Sequence, residues 1–252
     1  MAKKKPITGQ QKPRLKPQKS RELIRKFHTL LKRKAAAGAP EAKAIEAEID
    51  ALGGLETYQR ASISGQDVKR GGDSSKVLVE WLREKKKSPR SLLEIGCLDA
   101  GNHCSRRGGF STIERIDLHA QNPQIKQQDF MQRPVDGVRF DCISLSLVLN
   151  FVPTTHGRGA MLHRTTEFLA PNGLLFLVLP APCVLNSRYM SRDHLVAILG
   201  MLGFSVIYER VTSKLFYALL ELETCGRPAP PTVAKKLLQD GPARNNFAIT
   251  FA

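Results

Sequence analysis

The chain has 252 residues, 42% of them hydrophobic and 25% charged, and a formal net charge of +16. This composition is typical of a folded globular protein and excludes global disorder. No run of 18 apolar residues occurs, so we expect no membrane-spanning helix and no membrane partner. Five cysteines, an odd number in a long chain, favour reduced thiols in an intracellular compartment over a disulfide framework.

The excess positive charge is concentrated at the N-terminus. Residues 1–40 contain 13 lysines and arginines and one acid, whereas the rest of the chain is only mildly basic. A block of like charges stays open until a polyanion neutralises it, and each phosphate contact then releases counterions. The block predicts contact with nucleic acid, with a solvated solubility tail or a nuclear-import signal as alternatives. No apolar segment follows its first basic residues, so we expect no secretory signal.

The first elements in chain order are a tail and two helices. Residues 1–19 are rich in Pro, Lys and Gln and predict a disordered basic tail. Ser20 is a candidate N-cap for a helix over 21–37, in which apolar residues recur at helical spacing. A second helix over 41–52 follows, and the two predict a helical hairpin that covers 20–54.

The segment 55–90 is polar at first, and it ends in a helix from Ser74, the candidate N-cap, to Lys87. Apolar strands then alternate with helices over 91–224. This pattern predicts an α/β fold with a mostly parallel sheet that is covered on both faces. A C-terminal extension over 225–252 follows. The predicted strands are residues 91–96, 112–118, 125–130, 140–149, 173–180, 204–211 and 214–223.

The ends of the first four strands carry a specific set of residues. The first strand contains Glu94 and ends in Gly96, the second ends in Asp117, and the third in Asp129. Parallel sheets bind ligands beyond the carboxyl ends of their strands. A glycine there lets a ligand approach the backbone, and an acid 21 residues later can accept from both hydroxyls of a ribose. An acid after the third strand can accept from an adenine amino group.

These strand ends resemble the class I S-adenosylmethionine-dependent methyltransferases. The sequence LLEIGCLDAG is similar to their first motif, RIDL to the second, QQDF to the third and FDCISLSLVLNFVP to the fourth. The resemblance implies a Rossmann-like, mostly parallel seven-stranded sheet with a C-terminal antiparallel hairpin. Leu98 replaces the second glycine of the motif, and the following stretch predicts a short or absent first crossover helix. A nicotinamide dehydrogenase is disfavoured because G-x-G-x-x-G is missing.

A narrower resemblance starts before the first strand. The stretch LETYQRASISGQDVKRGGDSSKVLVEWL, together with Asn245, Asn246 and Phe247, resembles the fungal nucleolar methyltransferases that modify N1 of an adenine in 25S ribosomal RNA. Their animal relatives look like S-adenosylmethionine sensors. The resemblance implies S-adenosylmethionine as cofactor, large-subunit precursor rRNA as partner, and the nucleolus of the nucleus as location. We expect a monomer.

The resemblance also implies roles for individual residues. Gly96 and Asp117 would contact the cofactor, and the segment 58–75 would fold over it as a lid. Charge complementarity makes Arg60 the candidate for the methionine carboxylate, with Arg106 and Arg107 as competitors. Glu94, Asp129 and Phe130 complete the predicted cofactor site.

Asn150 is the candidate for holding the edge of the target adenine, and Phe151 for stacking on it. A turn-forming role for Asn150, and core packing for Phe130 and Phe151, remain the alternatives. No metal site is expected, because Cys97, His103 and Cys104 lack a fourth ligand at a usual spacing. Two other functions stay open, namely a non-catalytic S-adenosylmethionine-binding module and a small-molecule methyltransferase.

Overall fold

In a computed structural model, the structure describes residues 17–54, 57, 73–223 and 229–251. The chain forms two compact units, which cover residues 1–72 and 73–252. Most of the predicted tail, Arg60 and nearly all of the predicted lid lie outside the described residues. The helix at the end of the predicted segment 55–90 belongs to the second unit.

The first unit contains two helices that pack against each other, α1 (Pro17–Ala36) and α2 (Ala39–Ala51). Their contact buries a small apolar cluster made of Phe27, Leu30, Ile45 and Ile49. Ser20 does not cap α1 as predicted, because the helix begins earlier, at a proline, which is well tolerated in a first turn. The side chain of Ser20 is buried instead.

The second unit is built on a seven-stranded sheet with the order β3-β2-β1-β4-β5-β7-β6. Strands β1 to β5 pair in parallel, while β7 runs antiparallel between β5 and β6. This architecture confirms the predicted mostly parallel sheet with a closing antiparallel hairpin. The strands are β1 (Ser91–Ile95), β2 (Thr112–Asp117), β3 (Lys126–Gln127), β4 (Phe140–Ser146), β5 (Leu169–Pro180), β6 (Phe204–Val211) and β7 (Leu215–Leu222).

Helices cover both faces of the sheet, since its central strands are apolar on both sides. Two buried clusters lie on opposite faces, one of them centred on Trp81, which stacks on Tyr208 at 5.3 Å between ring centroids. The helices are α3 (Ser75–Glu84), α4 (His103–Arg107), α5 (Thr155–Phe168), α6 (Ala181–Leu185) and α7 (Arg192–Met201). Short 3-10 helices span Phe130–Gln132 and Leu149–Phe151. Helix α4 confirms that the first crossover helix is short.

The sequence predicts Ser74 as the N-cap of α3, but the residue that caps this helix is Asp73. Asp73 Oδ1 accepts a hydrogen bond from the backbone N–H of Ser75 at 2.9 Å, and its Oδ2 accepts one from the N–H of His103. Ser74 has a helical backbone and instead hydrogen-bonds to Ser146 through its side chain, at 2.8 Å between the two hydroxyl oxygens. Asp73 therefore joins the starts of α3 and α4.

The C-terminal residues 229–251 form no helix, yet they are part of the hydrophobic core. The buried side chains of this segment are Val233, Phe247, Ala248, Ile249 and Phe251. The sequence predicted an extension outside the sheet domain, whereas the segment packs into the main core cluster. None of the described helices is long and apolar enough to span a membrane.

Candidate functional site

Gly96 forms the turn after β1, and its backbone has a φ of +72°, which a side chain would strain. A Cβ at this position would lie 2.4 Å from Cγ2 of Val148, in the loop after β4. The backbone N–H groups of Gly96 and Cys97 both donate to the carbonyl of Ile116, at 2.9 and 3.1 Å. The group that approaches Gly96 in this structure is Val148, and the approach of a cofactor to its backbone stays a prediction.

Glu94 is buried at the end of β1 and is held by protein groups. Its Oε1 accepts a hydrogen bond from Asn102 at 2.9 Å, and its Oε2 lies 3.5 Å from Nε of Arg115. Burial raises the pKa of the Glu94 carboxyl, and the contacts to Asn102 and Arg115 oppose that effect only in part. Glu94 therefore fixes the loop that runs to Asn102, and its contact with a cofactor stays a prediction.

The two strand-end acids lie at the ends of neighbouring strands. Strand β3 pairs with β2 so that Asp117 is opposite Gln127, and the N–H of Gln128 donates to the carbonyl of Asp117 at 2.9 Å, which places Asp129 two residues beyond the partner of Asp117. Asp117 Oδ1 accepts from the N–H of His119 at 2.8 Å, and Asp129 Oδ1 from the N–H of Met131 at 2.8 Å. Partial burial raises the pKa of Asp117, and His119 counteracts this shift.

The sequence predicts Phe130 as part of the cofactor site, but the structure places its side chain in the core. Its side chain is 3% exposed and packs against Phe168 at 5.4 Å between ring centroids. The reason is that β3 already ends at Gln127 and Asp129 caps a 3-10 helix. Phe130 is the first residue of this helix, and its side chain points into the core. Two apolar side chains that the sequence analysis missed are exposed instead, Leu118 at 56% and Met131 at 36%.

Leu118 directly follows one site acid, and Met131 lies two residues after the other. In the sequence, the signal for both is an apolar residue one or two positions after a strand-end acid. Such side chains suit the faces of a planar base.

The loop after β4 begins with an unusual backbone. Leu147 has a φ of +57°, and its N–H donates to Val178 at 2.9 Å. A bulky residue in this region is strained, and such strain concentrates at functional sites. The loop then forms the 3-10 helix that carries Asn150 and Phe151, closed by the hydrogen bond from the N–H of Phe151 to Val148 at 2.9 Å.

The amide oxygen of Asn150 is buried and accepts no hydrogen bond from any group that the structure describes. An unpaired buried acceptor costs about 1–3 kcal/mol, so it is uncommon in folded proteins. Val148, the residue that precedes this 3-10 helix, contacts Gly96, so the loop that carries Asn150 starts beside the turn after β1. The role of Asn150 in holding the edge of the target adenine stays a prediction.

Arg158, in α5, holds this loop from behind and was missed by the sequence analysis. Its guanidinium donates to three backbone carbonyls, those of Val152 at 3.0 Å, Pro153 at 3.3 Å and Ala248 at 2.7 Å. It also lies 4.8 Å from the ring centroid of Phe247. The side chain is buried, and burial lowers its pKa. No sequence motif marks this residue, because its partners are backbone atoms far along the chain.

The cations that compete with Arg60 do not lie at this edge. Arg106 and Arg107 are exposed at the end of α4, which leads toward the amino end of β2. Cys97 and Cys104 are buried, which raises the pKa of the Cys104 thiol to about 12 and makes it unreactive. Within residues 17–54, 57, 73–223 and 229–251, no group of three or more His, Cys, Asp or Glu side chains is arranged to hold a metal ion.

The carboxyl edge therefore combines a glycine turn, carboxylates at the ends of two neighbouring strands, exposed apolar side chains and a buried amide oxygen. Carboxylates suit ribose hydroxyls, apolar side chains suit the faces of a base, and the glycine turn admits a chain beside the backbone. The residues present fit a nucleoside with an amino-acid chain. S-adenosylmethionine has this chemistry.

A family model and two relatives in sequence point to the same family. The family model described as 25S rRNA (adenine(2142)-N(1))-methyltransferase, Bmt2, matches residues 43–249. A Schizosaccharomyces pombe protein named 25S rRNA adenine-N(1) methyltransferase is 42% identical over 248 residues, which cover 92% of this chain and 91% of that protein. A Saccharomyces cerevisiae protein named 25S rRNA (adenine(2142)-N(1))-methyltransferase is 46% identical over 209 residues, or 81% of this chain.

The chain spans 61% of the length of the Saccharomyces cerevisiae relative. Among solved structures, a 1,6-didemethyltoxoflavin-N1-methyltransferase from Burkholderia thailandensis has a TM-score of 0.49 and 14% identity, over 75% of this chain and 92% of that one. An N-methyltransferase, NodS, from Bradyrhizobium japonicum has a TM-score of 0.46 and 14% identity, over 59% of this chain and 85% of that one.

Proposed function

Since the chain belongs to the family of 25S rRNA (adenine(2142)-N(1))-methyltransferases, we propose that it methylates N1 of an adenine in large-subunit ribosomal RNA. S-adenosylmethionine is the methyl donor, and the reaction takes place in the nucleolus, on precursor rRNA. The basic residues 1–40 supply sequence-independent affinity for the RNA.

The structural observation that carries the proposal is the unpaired amide oxygen of Asn150. The exocyclic amino group of adenine is a hydrogen-bond donor next to N1. An amide oxygen that accepts from this group orients the adenine edge and satisfies the buried acceptor at the same time.

The residues that hold the cofactor are those at the ends of β1, β2 and β3. Asp117 accepts from the ribose hydroxyls and Asp129 from the adenine amino group, while Gly96 leaves space beside the backbone. When bound, S-adenosylmethionine supplies an electrophilic methyl group on a sulfonium. Glu94 acts indirectly, because it holds the loop after β1 in place through its hydrogen bond from Asn102.

The reaction requires positioning more than proton transfer. N1 of adenine carries a lone pair at neutral pH, so no residue has to remove a proton before attack. Alignment of nucleophile and methyl carbon can therefore supply most of the rate enhancement. Positive charge develops on the adenine during transfer, and the Asn150 oxygen, as an acceptor from the amino group, stabilises it. Phe151 stacks on the extruded base, a contact worth about 1–3 kcal/mol.

Transfer of a labelled methyl group tests the proposal. The purified chain is incubated with labelled S-adenosylmethionine and a transcript of the 25S region, and the label is located by nucleoside analysis. We expect label in N1-methyladenosine for the wild type and loss of at least 90% of it for Asp117→Ala. The control variant is Asp136→Ala, since Asp136 is an exposed carboxylate outside the site.

Two other outcomes have separate meanings. Cofactor binding by calorimetry without any label in RNA contradicts the proposal and favours the non-catalytic binding module. Label that enters small molecules of a cell extract but no RNA favours the small-molecule methyltransferase.

A further inference from the structure

The C-terminal segment 229–251 bridges the loops that follow β4 and β5. At the β4 loop, Thr250 donates its N–H to the carbonyl of Thr155 at 3.1 Å, and the two hydroxyl oxygens lie 2.9 Å apart. Arg158 joins the carbonyl of Ala248 to the same loop. The segment therefore ends against the residues that follow Asn150 and Phe151.

Its second anchor is Arg188, in the loop after α6, the helix that begins where β5 ends. Arg188 Nη2 donates to the carbonyl of Gly241 at 2.6 Å, and its Nη1 donates to the carbonyl of Arg244 at 2.9 Å and to Asn246 Oδ1 at 2.8 Å. The N–H of Leu238 donates to the carbonyl of Arg188 at 2.8 Å. Residues 235–246 thus wrap around one arginine at the carboxyl edge of the sheet.

The outer surface of this wrapped segment is positively charged. Lys235 and Lys236 are exposed, and neither pairs with a carboxylate among the described residues. Lys235 Nζ lies 4.1 Å from the ring centroid of Tyr189. The acid of the segment, Asp240, is bonded to Arg188 at 3.4 Å and to the N–H of Gly241 at 2.7 Å. The two lysines therefore face solvent with uncompensated charge.

We propose that residues 235–244 form a docking rim for the phosphate backbone of the RNA that flanks the target adenine. This inference rests on the proposed function and names the surface that the substrate uses. An adenine that reaches Asn150 has to leave its stack, and its flanking phosphates then pass close to the loops after β4 and β5. The rim spans these two loops, and its lysines neutralise the phosphates there. Extrusion costs a few kcal/mol, and phosphate contacts beside the extruded base help to offset it.

The lysine pair Lys85 and Lys86 provides a matched control. Both are exposed and adjacent in sequence, and Lys85 Nζ lies 4.8 Å from the ring centroid of Tyr208, as Lys235 lies over Tyr189. They follow α3 and precede β1, so they lie at the amino edge of the sheet. The pair therefore has the same charge and a similar tyrosine contact at the edge away from the site.

The experiment compares wild type, Lys235→Gln/Lys236→Gln and Lys85→Gln/Lys86→Gln in the full chain. Affinity for a fluorescent transcript of the 25S region that contains the target adenine is measured from 50 to 300 mM salt. We expect a roughly tenfold loss of affinity for the rim variant, and a slope of log affinity against log salt that is smaller by about 1.4 for two lost phosphate contacts. The control pair should change the affinity less than twofold. Calorimetry with S-adenosylmethionine should give the same affinity for all three proteins.

The outcomes separate this inference from the proposed function. If the wild type binds and methylates the transcript but the rim variant is unchanged, the rim inference is wrong and the proposed function stands. Equal losses in both variants also overturn it, because the effect is then one of net charge. Reduced methylation with unchanged RNA affinity also contradicts the docking rim, because the two lysines then act on a step after the RNA has bound. Failure of the wild type to bind or methylate RNA overturns both proposals.

Discussion

The guanidinium of Arg158 and the carbonyl of Ala248 are 2.7 Å apart, although 90 residues separate them in the chain. The same guanidinium binds the carbonyls of Val152 and Pro153, directly after Asn150 and Phe151. One buried cation thus fixes the proposed adenine-binding loop and the end of the C-terminal segment at the same time. Gly159, one residue later, has no room for a Cβ, which would lie 2.1 Å from the carbonyl of Thr250.

Replacing Arg158 with Met should destabilise the fold. The methionine fills part of the volume, but three carbonyl oxygens lose their donor, and each buried acceptor left unpaired costs about 1–3 kcal/mol. We expect the free energy of unfolding to fall by about 3 kcal/mol in urea titrations. Arg106→Met is the control, since Arg106 is exposed at the end of α4, and it should leave the midpoint nearly unchanged. Equal midpoints for Arg158→Met and wild type would show that the three hydrogen bonds add nothing to stability.

Gly96→Ala should cost more stability than Gly109→Ala. Both glycines have a positive φ, +72° and +74°, so both substitutions strain the backbone by about 1 kcal/mol. Only at Gly96 does a Cβ collide with a neighbour, Val148, while nothing lies within 4 Å of the one at Gly109. We expect S-adenosylmethionine affinity to fall at least tenfold for Gly96→Ala and to stay unchanged for Gly109→Ala in calorimetry.

The additional substitution Val148→Ala tests the cause of that loss. Removing the methyl groups that collide with the new Cβ should recover part of the stability in Gly96→Ala/Val148→Ala. A double variant as unstable as the sum of the two single variants would contradict a role for the Gly96–Val148 contact.

Burial of Glu94 should make stability depend on pH. Its pKa in the folded state lies above the ordinary value of 4.5, so the folded protein holds a proton that the unfolded chain has released. Stability is therefore fully present below pH 4.5 and falls as pH rises through the folded-state pKa. Glu94→Gln should flatten this part of the profile in urea titrations from pH 4 to 8, whereas Glu223→Gln, at an exposed position, should follow the wild type. A wild-type profile that rises over the same range would contradict the predicted sign.

Asp117 should make cofactor affinity depend on pH as well. Only the carboxylate form accepts from two ribose hydroxyls, and burial raises the pKa of Asp117 above its ordinary value of 3.8. We expect the affinity for S-adenosylmethionine to decrease as pH falls through this raised pKa and the decrease to vanish in Asp117→Asn. Calorimetry at a series of pH values measures it, and the same decrease in the Asn variant would assign it to another group.

The parts of the fold that could be predicted from the sequence are those whose signal is local. The apolar runs 173–180 and 215–220 predict most of β5 and β7, and the short α4 follows from a stretch without helical periodicity. The predicted cap of α3, Ser74, is one residue too late. Asp73 also accepts a hydrogen bond from the N–H of His103, and no local sequence pattern reveals this second contact.

The same reason explains the missed parts of the candidate site. The C-terminal segment is tied down by backbone carbonyls that meet Arg158 and Arg188, and such partners leave no trace in residue types. Phe130 was placed at the site because its position after Asp129 suits both a ligand contact and the core. Only the 3-10 turn, which directs the ring toward Phe168, distinguishes the two.

Single-turnover methylation by Asn150→Ala, followed as N1-methyladenosine in the 25S transcript, tests the proposed function most directly. We expect a rate at least tenfold below wild type with unchanged affinity for S-adenosylmethionine. We also expect an equal or higher unfolding midpoint, because the variant removes a buried acceptor that has no partner among the described residues. Full methylation by Asn150→Ala, or loss of activity only through unfolding, would contradict the role assigned to this residue. Absence of N1-methyladenosine with the wild type, while cofactor binds, would contradict the proposed function itself.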